Sequence, residues 1–87
     1  MKDKVLVKLI VPEMDSSFDL FIPVNELVWK IKKLILKSIQ DMTNITLDST
    51  KEYLIINQDN CRLYQNNEII INTDIRNGSE LIMLIQK

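Results

Sequence analysis

Residues 24–40 read VNELVWKIKKLILKSIQ, the one run both long and periodic enough for a substantial helix. At about 100° per residue, Val24, Val28, Ile31, Ile35 and Ile39 fall on one stripe, widened by Leu27 and Leu34. Lys30, Lys33 and Lys37 fall on the opposite side, where their charges stay in water. A single apolar stripe with a basic back belongs to a helix lying on one surface, so the flanking segments must supply that surface. Asn25 is placed to cap the helix, Glu26 to sit at the positive end of its dipole and Lys37 near the negative end. Pro23 marks the end of the extended segment before it. Trp29 and Leu36 lie off the stripe, on a shoulder roughly 80–120° from its centre. Either a loop folds over them, or Trp29 is a partly exposed aromatic that makes a secondary contact.

The surface under the helix is read from short alternating runs. Residues 5–11, VLVKLIV, place Val5, Val7, Leu9 and Val11 on one face and Leu6, Lys8 and Ile10 on the other. PEMDSS is a turn, and residues 18–22 then put Phe18, Leu20 and Ile22 together, opposite Asp19 and Phe21. A short polar segment between two strands predicts an antiparallel hairpin. After the helix, residues 41–52 form a long polar connection whose pegs Met42, Ile45 and Leu47 are candidates for covering Trp29 or Leu36. Residues 53–57, YLIIN, are a third strand, and residues 62–65 can pair back on it as a short fourth. Residues 69–71 are either a short strand or one buried turn. Gly78 is the only glycine, placed where a positive φ is needed before the last strand, residues 80–85. That strand points Leu81, Met83 and Ile85 one way and Ile82 and Leu84 the other. The order β-β-α-β-β-β fits a two-layer α+β domain spanning residues 1–87, with one helix on a mixed sheet of four to five strands. The last strand is expected in the middle beside the first, which accounts for apolar residues on both faces of each. Ile31 and Met83 are expected to meet between the layers.

Composition removes several classes of function. With 11 basic and 12 acidic residues, no global field favours nucleic acid or a membrane surface. The chain has no histidine, so the commonest metal ligand and general base are missing. Cys61 is the single cysteine, which excludes an intrachain disulfide and fits a reducing compartment. Arg62 beside it can favour a thiolate, but no histidine or second cysteine completes a nucleophilic pair. Asp59, Asn60, Asn66, Asn67 and Glu68 lack the spacing of a calcium loop and read as turn chemistry. The N-terminal apolar run is short and broken by Lys8, unlike a signal peptide or membrane span. A cytoplasmic, non-enzymatic protein without catalytic, cofactor or metal residues is expected, with no nucleic-acid binding and no direct membrane insertion.

The order of elements and the approach to the last strand, Asp74-Ile75-Arg76-Asn77-Gly78-Ser79-Glu80-Leu81, resemble a ubiquitin-like β-grasp domain. Phe18-Asp19-Leu20, Asn57 followed by Asp59, Leu63-Tyr64 and Ile75-x-Asn77-Gly78 are most similar to the YukD/EsaB-like accessory proteins of Gram-positive type VII secretion systems. The resemblance implies a mixed sheet packed on one helix and a role as an adaptor without catalysis. A conjugated modifier of this superfamily ends in a flexible Gly-Gly tail, whereas this sequence reads Gln86-Lys87 after its last strand, so conjugation is not expected. Connection 41–52 is also longer than in ubiquitin.

The informative oddity is the sheet face turned away from the helix. Leu6, Ile10, Phe21, Ile82 and Leu84 point there if the alternation holds, and the third strand adds either Leu54 and Ile56 or Ile55; we favour Leu54 and Ile56. An apolar patch of several hundred Å² on a face that meets water marks an interface. Loops covering part of it, or a homodimer, are the competing readings. The expected partner is another protein, such as a membrane-associated secretion component. The expected alternative role is that of a small regulatory or structural β-grasp subunit of a multicomponent enzyme. The lysine row reads as a solvated helix face or as a site for an acidic partner.

Overall fold

The computed structural model describes residues 3–86; Met1, Lys2 and Lys87, on which parts of the leader and tail expectations rest, lie outside the described residues. Four strands, β1 (Lys4–Val11), β2 (Ser16–Pro23), β3 (Tyr53–Asn57) and β4 (Glu80–Ile85), and one helix, α1 (Val28–Thr43), follow the expected order, with short 3-10 turns at Pro12–Met14 and Ile70–Asn72. The sheet order is β2-β1-β4-β3. β1 and β4 run parallel at its centre, while β2 and β3 are antiparallel edges. The hairpin turn closes through Asp15 at φ 51°.

Alternation along each strand divides the sheet into two faces. Val7, Leu9, Val11, Leu20, Ile22, Ile55, Leu81 and Met83 are buried on the inner face, where they share one core with Val28, Ile31, Ile35 and Ile39 of α1. The third strand has the favoured register, with Ile55 inward and Leu54 and Ile56 outward. Ile31 and Met83 each retain only 1% of their exposure within this core. Leu34, expected to widen the helix stripe, is instead 40% exposed.

Helix α1 starts four residues after the beginning of the periodic run 24–40 and continues three residues beyond its end. Asn25 is not the cap; Leu27 occupies that position and contributes no side-chain hydrogen bond. Residues 24–27 are drawn into pairing with the connection before β4: the Ile70 amide donates to the Glu26 carbonyl at 3.2 Å, and the Ile71 amide to that of Val24 at 2.8 Å. Leu27 also bridges to Ile69. The free amides of the first turn are satisfied from the same segment, Val28 donating to the Glu68 carbonyl at 2.8 Å and Trp29 to that of Asn66 at 3.3 Å. Tertiary carbonyls thus replace the side-chain cap. Glu26, just before the helix, faces Lys30 of its first turn at 3.7 Å. At the other end Asn44 takes a left-handed conformation, φ 61°, and closes the helix through its amide to Gln40.

One further expectation changes and one open alternative is decided. Residues 62–65 form no strand but a single bridge, Leu63 to Ile56, followed from a turn in which Cys61 has φ 60°. Residues 69–71 enter a short turn, burying Ile70 while Ile71 stays exposed. Gly78 has φ +88° as the sequence requires, and the turn hydrogen-bonds β1 on both sides: Asn77 Oδ1 accepts from the Leu6 amide and the Gly78 amide donates to the Leu6 carbonyl, each at 2.8 Å.

Truncating Ile31 to alanine should remove contacts the two layers share. The expected destabilisation is about 2–4 kcal/mol by chemical denaturation; a change below about 0.5 kcal/mol would place Ile31 outside the core.

Candidate functional site

The outer sheet face is ordered in cross-strand rows. Phe21 opposes Leu6 at one end. The next row is charged, running from Asp19 through Lys8 to Glu80. Beyond it Ser17, Ile10, Ile82 and Ile56 align across all four strands, and Ile56 meets Leu63. Leu84 and Leu54 complete the far end. All seven expected face residues lie on this side, but the charged row separates Leu6 and Phe21 from the larger cluster.

Exposure is uneven along the rows. Phe21, on the edge strand, is 57% exposed, and Leu6 is 39% exposed. Ile10, Leu54, Ile56, Ile82 and Leu84 are half-buried, less open than the alternation alone implies. Strands in one sheet lie roughly 5 Å apart, so large side chains on central strands shield one another sideways. Leu63 was not recognised as part of this face, although it is 41% exposed at its edge. The signal was its alternation with Tyr64, which is buried.

A second exposed region lies along α1. Trp29 is 40% exposed, with the ammonium groups of Lys33 and Lys30 lying 5.3 and 5.6 Å from its ring centroid. Leu36 and Leu47 are both partly buried against the core. Met42 and Ile45 stay more than half exposed, so of the three expected pegs only Leu47 folds in. Lys32 has no counterpart in the sequence reading. It sits at the margin of the stripe with its stem buried, and its ammonium donates to Glu52 Oε1 at 3.1 Å and Asn66 Oδ1 at 2.6 Å.

Three of the perturbed titratable groups, Tyr64, Asp74 and Glu52, bear on the connection before β4. The buried Tyr64 hydroxyl donates to Asp74 and accepts from Asn57 Nδ2 at 3.1 Å. Burial, reinforced by the Asp74 hydrogen bond, pushes the Tyr64 hydroxyl up to about 12. The same hydroxyl, the Asn60 amide and Arg62 hold the Asp74 carboxyl below its ordinary range. Lys32 and Asn66 do likewise for Glu52. Arg62 is engaged with Glu68 at 2.6 Å and Asp74 at 3.4 Å and stacks near the Tyr64 ring, while Cys61 beside it is exposed. Among the described residues no group of three or more His, Cys, Asp or Glu side chains converges as a metal site, and no helix is long and apolar enough to cross a membrane.

No family model and no curated protein sequence matches the chain. Solved structures do match. A ubiquitin-like domain of EccD5 from Mycobacterium xenopi superposes with a TM-score of 0.68 at 9% identity, over 97% of this chain and 96% of that one. The N-terminal ubiquitin-like domain of the 4931431F19Rik protein gives 0.66 at 14% identity, over 98% and 77%. The fold is that of ubiquitin-like β-grasp domains. A chain of an ESX-5 inner membrane complex matches with a TM-score of 0.68 at 13% identity; this chain is covered over 97% but spans only 21% of that chain's length. A chain in a toluene 4-monooxygenase complex with 4-bromobenzoate matches with a TM-score of 0.76 at 5% identity, over 95% and 99%. Similar folds therefore occur in a chain of an inner membrane complex and in a chain of a monooxygenase complex, and function must be argued from surfaces.

Two outcomes follow from this geometry. Ile82→Asp places a carboxylate between Ile10 and Ile56 and should destabilise by about 1–3 kcal/mol, whereas Phe21→Asp on the exposed edge should change stability by about 1 kcal/mol or less. Equal effects in thermal melts would contradict the shielding of the central rows. The depressed Asp74 and Glu52 carboxyls contribute stability above the ordinary carboxyl range that is lost as pH falls through their folded values; the raised Tyr64 hydroxyl contributes stability that is lost as pH rises from its ordinary value near 10 toward 12. Asp74→Asn should therefore lower stability at pH 7, and the gap to the parent should close in acid titrations below about pH 4.

Proposed function

We propose that this chain is a non-enzymatic, ubiquitin-like adaptor acting in the cytoplasm as a YukD/EsaB-like component of a type VII secretion machine. It docks its outer sheet face onto a membrane-associated protein component. The observation that carries the reading is the run of apolar side chains across the face that α1 leaves uncovered, from Ile10 and Ile82 to Ile56 and Leu63. Such a patch gains stability by being removed from water on a partner. The Asp19–Lys8–Glu80 row beside it supplies polar registration, because a partner that mispairs with those charges is penalised. The secretion context is supported by the likeness to the EccD5 domain and to a chain of the ESX-5 inner membrane complex.

A second reading has its own support. The match to a chain in a toluene 4-monooxygenase complex covers nearly the full length of both chains, which fits a small regulatory subunit of a multicomponent enzyme. That role would use the same face against a different component.

Affinity purification of the tagged protein from the organism that encodes it tests the first reading. The type VII membrane components should co-purify with the parent and with Leu34→Asp, an equally apolar-to-acidic change on the exposed back of α1. Phe21→Asp combined with Leu84→Asp should reduce their recovery at least about tenfold, since the interface would have to desolvate both carboxylates. Recovery of oxygenase components instead would establish the second reading, and undiminished recovery with the double variant would remove the outer face as the working surface.

A further inference from the structure

The cleft between α1 and the 44–52 connection is separate from the outer sheet face and has its own chemistry. It consists of two adjoining pockets that share Lys33, Leu36 and Ser49, one reaching Lys37 and Leu47 and the other Trp29 and Lys51. The first encloses about 420 Å³ and the second, beside Trp29, about 150 Å³. The groove floor is apolar, because Leu36 and Leu47 both pack on the core while still lining the opening. Its helix wall is basic. The Lys32 ammonium is neutralised by Glu52, but Lys33, Lys37 and Lys51 have no ion-pair partner among the described residues. Lys33 instead lies against the Trp29 ring, so the aromatic forms part of the cationic wall.

We propose that this cleft binds a short acidic peptide segment of a partner protein, with one bulky apolar side chain seated on Leu36, Leu47 and Trp29 and flanking carboxylates on Lys33, Lys37 and Lys51. The apolar floor gives the anchor somewhere to be desolvated, and the lysines set the sign of the neighbouring groups. A peptide is favoured over a nucleic acid because the lysines flank an apolar floor of Leu36 and Leu47 rather than forming an unbroken basic track, and Asp48 follows Leu47 in the connection, close enough to Lys51 to feel its charge. A continuous polyphosphate would bring its charges past that carboxylate, whereas a short segment needs only two or three acidic residues beside one apolar anchor. With the outer face turned to the opposite side of the sheet, the chain then carries two independent docking surfaces, as a bridging adaptor requires.

Trp29 is the only tryptophan in the chain and reports directly on the groove. The probe is the pentapeptide acetyl-Glu-Asp-Leu-Asp-Glu-amide, titrated against the full chain by intrinsic fluorescence. Saturable change with a Kd on the order of 0.1–1 mM is expected, weakening as salt is raised. Replacing the central leucine by serine, or making Lys33→Ala together with Lys37→Ala, should each weaken binding at least about tenfold, equivalent to roughly 1.4 kcal/mol. Lys33→Glu should lose the acidic peptide and gain acetyl-Lys-Lys-Leu-Lys-Lys-amide, a swap that general destabilisation cannot produce. Absence of a saturable signal in the parent, indifference to the leucine, or tighter binding of an oligo-dT 10-mer than of the peptide would each overturn the assignment.

Discussion

The start of α1 is held by the connection that leads into β4, and the placement of every other surface depends on that grip. Carbonyls of Asn66 and Glu68 take the first free amides of the helix, while Val24 and Glu26 accept amides from Ile71 and Ile70. Moving the helix start by one residue would rotate it by about 100°. Ile31, Ile35 and Ile39 would leave the sheet, and Trp29, Lys33 and Lys37 would leave the groove. The polar network around Tyr64, Asp74 and Arg62 holds the same connection from its other side. A segment that looks irregular in outline therefore fixes the phase of the helix.

The sheet divides labour between its faces by the two-residue period of its strands. The inner side carries the core shared with α1 and accounts for the cohesion of the fold. The outer side repeats the same apolar residue types on β1, β3 and β4 without a second layer above them. Parallel pairing of β1 with β4 brings Ile10 next to Ile82, and antiparallel pairing with β3 adds Ile56. Lys8 and Glu80 interrupt the apolar rows at the sheet's centre. This arrangement leaves an outer face whose apolar rows are broken by one charged row.

The alternation of apolar residues in β1, β2 and β4, the helix stripe and the single glycine before the last strand were enough to establish two layers, the inner and outer membership of almost every strand residue, and the central position of β4. Those properties follow from fixed geometric periods, and a chain with one apolar stripe on its helix has few ways to bury it. Sequence alone also placed all seven outer-face residues on the correct side, because side is a matter of parity along a strand. What it could not decide were the quantities that depend on neighbours distant in the chain. The helix start moved because backbone carbonyls from residues 66–68 outcompeted Asn25 as acceptors. Lys32 became buried because Glu52 and Asn66 arrive beside it, Met42 and Ile45 stayed outside because one peg, Leu47, sufficed to close the connection, and Ile82 and Leu84 were shielded by residues on adjacent strands. Periodicity is local and survives any packing; exposure, capping and charge pairing belong to contacts that exist only once the layers have met.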